Sequence, residues 1–471
     1  MKKLTQKILF ALTAILLFVS MSQKQFNFPK FRALKGVVVD EPMPKLTFQS
    51  YCDGEFQQKT EQHLKQHFGF RPPLIRLYNQ YLWDFFKKTP VSKGILSFGK
   101  DGWLYEPWVV ADYYQNQFRN YASDTAEMTA MFTEEAERLL QVQQALEPYG
   151  TYLFACVVPS KDRIYPEYLP DDKDYWFDSM PKTSARFINE REYARLGVNH
   201  LNLEHYFMQM KDTADFLLFP QTGTHWSNYA SLFAADTLIR YMEHLGGMNI
   251  QNLVIGPRSL DDARDPDDDL EKLLNLIRPL PKPQYYYAKA TADNDSTAVK
   301  PKVIVIGDSF WWNIANQIPL SKIFSSSPYW YYNSTVYFDG TEHSVKDLDL
   351  INEILSADFI ILFYSATQQY KMNNGFTQDA LEAIQHFKEV FVMDSLAFIE
   401  YEIEKTIAEI KTKPNLMEEI QEKATLKGKT FEQAIYDDAA WIVNYKIEQG
   451  TLKWPPEKIT KNTKSNKYGI Q

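Results

Sequence analysis

Two stretches of the chain carry side chains that can do nucleophilic chemistry together. Lys302-Val303-Ile304-Val305-Ile306-Gly307-Asp308-Ser309-Phe310 begins as a β-branched run between Pro301 and Gly307. That pattern predicts a buried strand, ended by a sharp turn that delivers Ser309 at the strand's carboxyl end. Open α/β sheets bind their ligands at that end. A serine hydroxyl is a weak nucleophile and needs a base to take its proton. Thr222-Gly223-Thr224-His225-Trp226 offers one in His225. Ser309 and His225 together fit acyl transfer, in which backbone N–H groups stabilise the oxyanion. The Ser309 amide, with a side-chain amide such as Asn313, is the expected donor set.

The elements around these stretches must bring the two side chains together. Thr133 to Glu147 reads as an amphipathic helix capped by Thr133 and ended by Pro148. Thr151 to Val158 follows as a buried strand, and its carboxyl end carries Lys161, Asp162 and Arg163. Val198 to Leu203, Phe359 to Phe363 and Val390 to Met393 read as further strands. Asn228 to His244 reads as a helix beginning just after His225, a setting that favours the neutral imidazole. Helix, strand and loop in this order predict an α/β fold with a parallel sheet.

Lys161 and Arg163 can hold an anionic sugar or form a surface ion pair. Trp311, next to the serine, offers a stacking face for a pyranose or a buried ring. Leu74, Ile75, Leu77, Tyr78, Tyr81, Leu82, Phe85 and Phe86 recur at helical spacing, which predicts a helix with that stripe in the core. Residues 256–302 are rich in Asp and then Pro, and read as a linker-like insertion. Its acids match no EF-hand spacing, and no His-Glu-x-x-His occurs, so neither metal nor cofactor is expected.

A net charge of −9 argues against a nucleic-acid partner, whose phosphates call for a basic face. Two cysteines make no disulfide framework, and Cys156 sits in an apolar strand. Lys2, Lys3 and Lys7 precede an uncharged run from Ile8 to Met21. Residues 1–22 therefore read as a signal peptide or signal-anchor helix, which places the body outside the cytoplasm. Residues 23–400 hold the strands and motifs. Residues 401–471 read as a helical extension with a frayed tail.

With Ser309 in Gly307-Asp308-Ser309-Phe310 and His225 in His225-Trp226, the chain resembles the SGNH-hydrolase-like alginate O-acetyltransferase family. That family pairs Asp-x-His-Trp with a later Gly-Asp-Ser-Phe. Supporting matches are Phe68-Gly69-Phe70-Arg71, Gly99-Lys100-Asp101-Gly102-Trp103-Leu104, Pro159-x-Lys161 with Tyr165-Pro166-Glu167-x-Leu169-Pro170, and Asp268-Asp269-Leu270. The resemblance implies a three-layer SGNH-like fold, Ser309 as nucleophile, and His225 as base. It also implies O-acetylation of an exported or cell-surface polysaccharide through an acetyl-serine. A membrane-bound O-acyltransferase would supply the acetyl groups.

The family's triad aspartate falls on Gly223. Three readings follow: a carboxylate such as Glu204 or Asp162 reaches in from another loop, the pair works as a dyad, or the domain only binds polysaccharide or a membrane partner. An acetyl esterase is a further alternative.

Overall fold

The computed structural model describes residues 2–26, 28–36, 42–90, 94–114, 124–171, 185–391, 395–449 and 451–452. Among these, eleven strands form three sheets. In chain order they are β1 Ser97–Phe98, β2 Leu104–Tyr105, β3 Tyr152–Val158, β4 His200–Asn202, β5 Leu253–Asp261, β6 Tyr285–Ala292, β7 Val303–Gly307, β8 Tyr329–Tyr331, β9 Thr335–Phe338, β10 Thr341–Ser344 and β11 Phe359–Ser365. The central sheet has the order β10-β9-β8-β7-β11-β3-β4. It is parallel from β8 to β4 and antiparallel at the β8-β9-β10 edge.

Side chains along a strand alternate between faces, and both faces here are apolar. Val303, Val305, Phe359, Ile361 and Phe363 point to one side and pack against helices Asn228–Gly246 and Phe310–Gln317. Ile304, Ile306, Ile360 and Leu362 point to the other, against helices Thr125–Leu146 and Phe376–Phe391. The result is helix, sheet and helix in three layers, as the resemblance implies. From β3 the chain moves outward to β4; from β7 it moves the opposite way to β8, with β11 between. The crevice for a ligand therefore lies at the carboxyl ends of β3, β11 and β7.

Several local readings need correction. The helix before β3 starts at Asp124, whose carboxylate accepts from the Glu127 amide; Thr133 lies inside it and bonds Glu192. Val390 belongs to helix Phe376–Phe391 rather than a strand, and Met393 lies outside the described residues. Residues 256–302 are not a linker, because β5 and β6 pair antiparallel and enclose helix Asp269–Leu273. Buried Tyr285 and Tyr287 turn that ladder inward. Most of the stripe on helix Arg71–Phe86 faces solvent, not core: Leu74, Leu77, Tyr78, Tyr81, Phe85 and Phe86 are exposed, Ile75 and Leu82 are half-buried, and the buried residues are Asn79 and Gln80.

Helices Ser395–Lys411, Pro414–Lys427 and Phe431–Glu448 share a small core around Ile403, Ile420 and Val443. The tail from Thr460 lies outside the described residues. Within the N-terminal helix, Gln6–Phe26 is long and apolar enough to cross a membrane, by length and composition.

Gly307 sits where β7 meets β11, paired with Phe363, and a Cβ there would collide with the Phe363 carbonyl. Forcing the strands apart at a packed centre carries an overpacking cost of about 1–3 kcal/mol. Gly307→Ala is expected to lower stability by that amount, read from the denaturant midpoint at unchanged slope.

Candidate active site

Ser309 leaves β7 through the turn at Asp308 and begins helix Phe310–Gln317. Asp308 orders that turn. One of its carboxylate oxygens accepts from the Phe310 amide at 3.2 Å, the other from the Ser365 amide at 2.7 Å. This ties the ends of β7 and β11 together, and the Tyr329 hydroxyl donates to the Asp308 carbonyl.

His225 is fixed by its neighbour. Trp226 is fully buried against Phe207, Phe310 and Phe363, so the loop cannot swing away. The edge of Phe310 also meets the imidazole, with ring centroids 4.8 Å apart.

The two side chains converge. The Ser309 hydroxyl donates to His225 Nε2 across 2.8 Å, and His225 Nδ1 donates to Asp269 Oδ2 across 2.8 Å. Both ring nitrogens are engaged, with the proton on Nδ1 and the lone pair of Nε2 turned to the serine. The other oxygen of Asp269 accepts from the Thr224 amide at 2.8 Å, which holds the carboxylate square to the ring. The carboxylate therefore comes from neither Glu204 nor Asp162. Asp162 is fully buried and receives the Ser160 hydroxyl.

Gly223 explains why the third member moved. A Cβ at that position would lie 2.8 Å from the Pro220 ring and 2.9 Å from the carbonyls of Pro266 and Asp267. The loop that carries Asp269 fills the space an aspartate side chain at 223 would need. Asp267 anchors the loop: fully buried, it accepts from the Asn228 amide and side chain and from the Tyr287 hydroxyl. Burial pushes its carboxyl up to about 6 against those bonds.

A helix start favours the neutral imidazole. Burial does work in that direction, but the Asp269 bond and the charges of Asp269, Glu106 and Asp308 outweigh it, and the His225 pKa is raised. Glu106 accepts from the Thr224 hydroxyl at 2.6 Å, and burial pushes its carboxyl up to about 7.

Glu106, Thr224, His225, Asp308 and Ser309 line a cleft of about 480 Å³ that also takes in Trp108, Tyr332 and Lys371. Tyr332 has φ +50°, an uncommon conformation for a bulky residue, and its ring lies under the Lys371 ammonium at 4.7 Å.

The other expected binding residues turn their functional groups into the protein instead of the cleft. Lys161 borders the cleft, but its ammonium is buried and donates to the carbonyls of Leu104, Gln221 and Gly223 at 2.7–3.0 Å. Those bonds use its three protons, so it props the histidine loop instead of holding a sugar. Burial drives its pKa well down, although Asp269 and Glu106 oppose this. The Arg163 guanidinium stacks over Tyr113 and Phe187 at 5.2 and 5.1 Å. Trp311 is packed on Phe363 and Tyr329 and offers no open face. Asn313 is buried one turn along the helix, 3.5 Å from the Trp226 carbonyl, too deep to serve an oxyanion.

Residues 96–317 match the family described as ALGX, SGNH hydrolase-like domain, acetyltransferase AlgX. No curated protein sequence matches the chain significantly. Among solved structures, the O-acetyltransferase domain of Pseudomonas putida AlgJ is similar over 61% of this chain and 98% of its own, at 16% identity and a TM-score of 0.38. Pseudomonas aeruginosa AlgX is similar over 62% and 67%, at 10% identity and a TM-score of 0.38. Bacillus cereus PatB1 with a sulfonyl adduct is similar over 58% and 97%, at 11% identity and a TM-score of 0.37. The matched segment, 96–317, holds Ser309, His225 and Asp269, and over it the chain is similar to the SGNH hydrolase-like AlgX acetyltransferase family.

Proposed function

We propose that this chain moves acetyl groups onto hydroxyls of an exported polysaccharide through an acetyl-Ser309 intermediate. The observation that carries the reading is the hydrogen-bonded series Ser309, His225, Asp269, with Ser309 and His225 lining a cleft. His225 Nε2 takes the Ser309 proton as Oγ attacks the acetyl carbonyl. The Ser309 amide, at the cap of helix Phe310–Gln317, faces the developing oxyanion. Collapse breaks the bond to the leaving group, which receives the proton from His225 and departs. A sugar hydroxyl then attacks the acetyl-serine, giving its proton to His225; collapse breaks the acyl–Oγ bond, and His225 returns that proton to Ser309. Asp269 keeps Nδ1 protonated and offsets the imidazolium charge.

The family description names acetyl transfer. An acceptor sugar entering the cleft would meet a wall that includes Trp108, Tyr331 and Tyr332. The N-terminal apolar helix supports an exported, membrane-anchored location, and a membrane-bound O-acyltransferase is the donor consistent with a compartment that lacks acetyl-CoA. The rival reading, a domain that only binds glycan or a partner, rests on Gly223, and the carboxylate at Asp269 answers that objection. An acetyl esterase shares the first half-reaction and differs in whether water takes the acetyl group.

Full-length protein given an activated acetyl ester is expected to release acetate and to show an acetylated Ser309 peptide by mass spectrometry. Ser309→Ala should lose at least about 10³-fold in turnover; equal turnover would sink the proposal. Added oligosaccharide should capture the acetyl group in preference to water.

Asp269→Asn should cost about 10⁴-fold in kcat, by analogy with the triad aspartate of other serine enzymes. Because the imidazole must be neutral to act, the acid limb of kcat/KM against pH should lie above the ordinary histidine value of about 6.5. It should move to lower pH in Asp269→Asn, since the largest of the effects that raise the pKa is removed while Glu106 and Asp308 remain. Gly223→Asp, which restores the family residue, should lower turnover by about 10²-fold, because its side chain displaces the loop that carries Asp269.

A further inference from the structure

Helix Arg71–Phe86 is inverted relative to the body it packs on. At 100° per residue, Leu77, Tyr81, Leu74, Phe85 and Tyr78 fall within an arc of about 100°. All five are exposed, Leu77 at 59% and Phe85 at 72%. The opposite side carries Asn79 and Gln80, which are buried because they serve backbone groups of residues 274–278. Asn79 donates to the Leu274 carbonyl at 2.8 Å, while the Gln80 carbonyl accepts from the Ile277 and Arg278 amides at 3.1 and 3.0 Å. A helix in water hides its apolar arc, so this one is built to have that arc covered from outside.

Its position says by what. The candidate membrane span Gln6–Phe26 packs on the turn just before the helix: a Cβ at Gly69 would strike the Ser20 carbonyl and the Gln23 side chain. The chain leaving the span then runs along the same helix. Phe31 meets Phe70 with ring centroids 5.3 Å apart, and Arg76 donates to the carbonyls of Arg32 and Ala33 at 2.9 and 2.8 Å. The last turns of a span lie at the membrane surface, so helix Arg71–Phe86 begins at that level. Its arc mixes Tyr with Leu and Phe, and exposed Lys87 and Lys88 follow, the composition of a helix lying in a lipid headgroup layer. Leu64 and Phe68, also exposed on the preceding segment, extend the apolar surface.

We infer that helix Arg71–Phe86 lies on the lipid bilayer with Leu74, Leu77, Tyr78, Tyr81 and Phe85 embedded at the headgroup level, seating the catalytic body on the membrane. The inference rests on the anchoring reading of the N-terminal helix and is independent of the chemistry at Ser309. To test it, the full chain with Cys52→Ser is reconstituted in vesicles of phosphatidylcholine and phosphatidylglycerol. Single spin labels are placed at Leu12→Cys in the span, at Leu77→Cys or Tyr81→Cys in the arc, and at Leu426→Cys on a distant exposed helix; buried Cys156 is left in place. Accessibility to oxygen is compared with that to a water-soluble nickel chelate.

Labels at 77 and 81 are expected to favour oxygen as the label at 12 does, while 426 favours nickel. If 12 favours oxygen but 77 and 81 behave like 426, the inference is overturned and anchoring stands. If 12 also favours nickel, the anchoring reading fails and the inference falls with it. Leu77→Glu with Tyr81→Glu should leave circular dichroism unchanged and return a label at Leu74→Cys to the nickel-accessible class; an unchanged oxygen preference there would also overturn the inference.

Discussion

The architecture of the site depends on one exclusion of volume. Beside Gly223 the backbone of Pro266 and Asp267 occupies the room that any side chain would take. Two atoms cannot share that space, so a carboxylate on the histidine's own loop and a close approach of the 265–269 segment are alternatives. This chain has the second. The segment is held by a β5–β6 ladder and by Asp267 at its base, and it ends by presenting Asp269 to the imidazole. The hydrogen-bonded series is ordinary for a serine acyl-transfer site; the route of its third member through the chain is not.

The surrounding polar groups make that arrangement stiff. Lys161, buried with three carbonyl partners, joins β2 to the loop carrying His225. Thr224 divides its two donors between Asp269 and Glu106. Buried polar groups are costly when unpaired and rigid when paired, so these contacts fix geometry more than they add stability. Asp308 does the same for the serine, joining the two central strands at the point where the nucleophile emerges.

Much of this was readable from residue order, and the failures share a cause. The run Val303–Gly307 and the turn into Ser309 are local signals, since β-branching and a glycine after it mark a strand and its end, although the reason for that glycine, the Phe363 carbonyl, is tertiary. His225 could be picked because Trp226 and a helix start flank it. Asp269 could not be chosen from six crowded aspartates by composition, because solvated acids and a buried partner look alike until β5 meets β6. Its one signal was the Asp268-Asp269-Leu270 match. Lys161, Trp311 and Asn313 were placed near the serine correctly in sequence, but the direction a side chain takes is decided by packing. The stripe of Leu74 to Phe86 has the same lesson: periodicity gives the apolar face, not what covers it.

The bonds from Asn79 and Gln80 to residues 274–278 have a geometric consequence. Leu270 and Leu274, on and just past the short helix that starts with Asp269, sit in a cluster with Leu96, Leu104 and Leu280, and Trp83 of the inverted helix packs on that cluster. The path from Gly69, against the N-terminal helix, to the carboxylate behind the imidazole is thus folded structure throughout, with no tether of free length. The cleft is therefore held at a fixed distance from the end of that helix, and the two cannot move independently of each other.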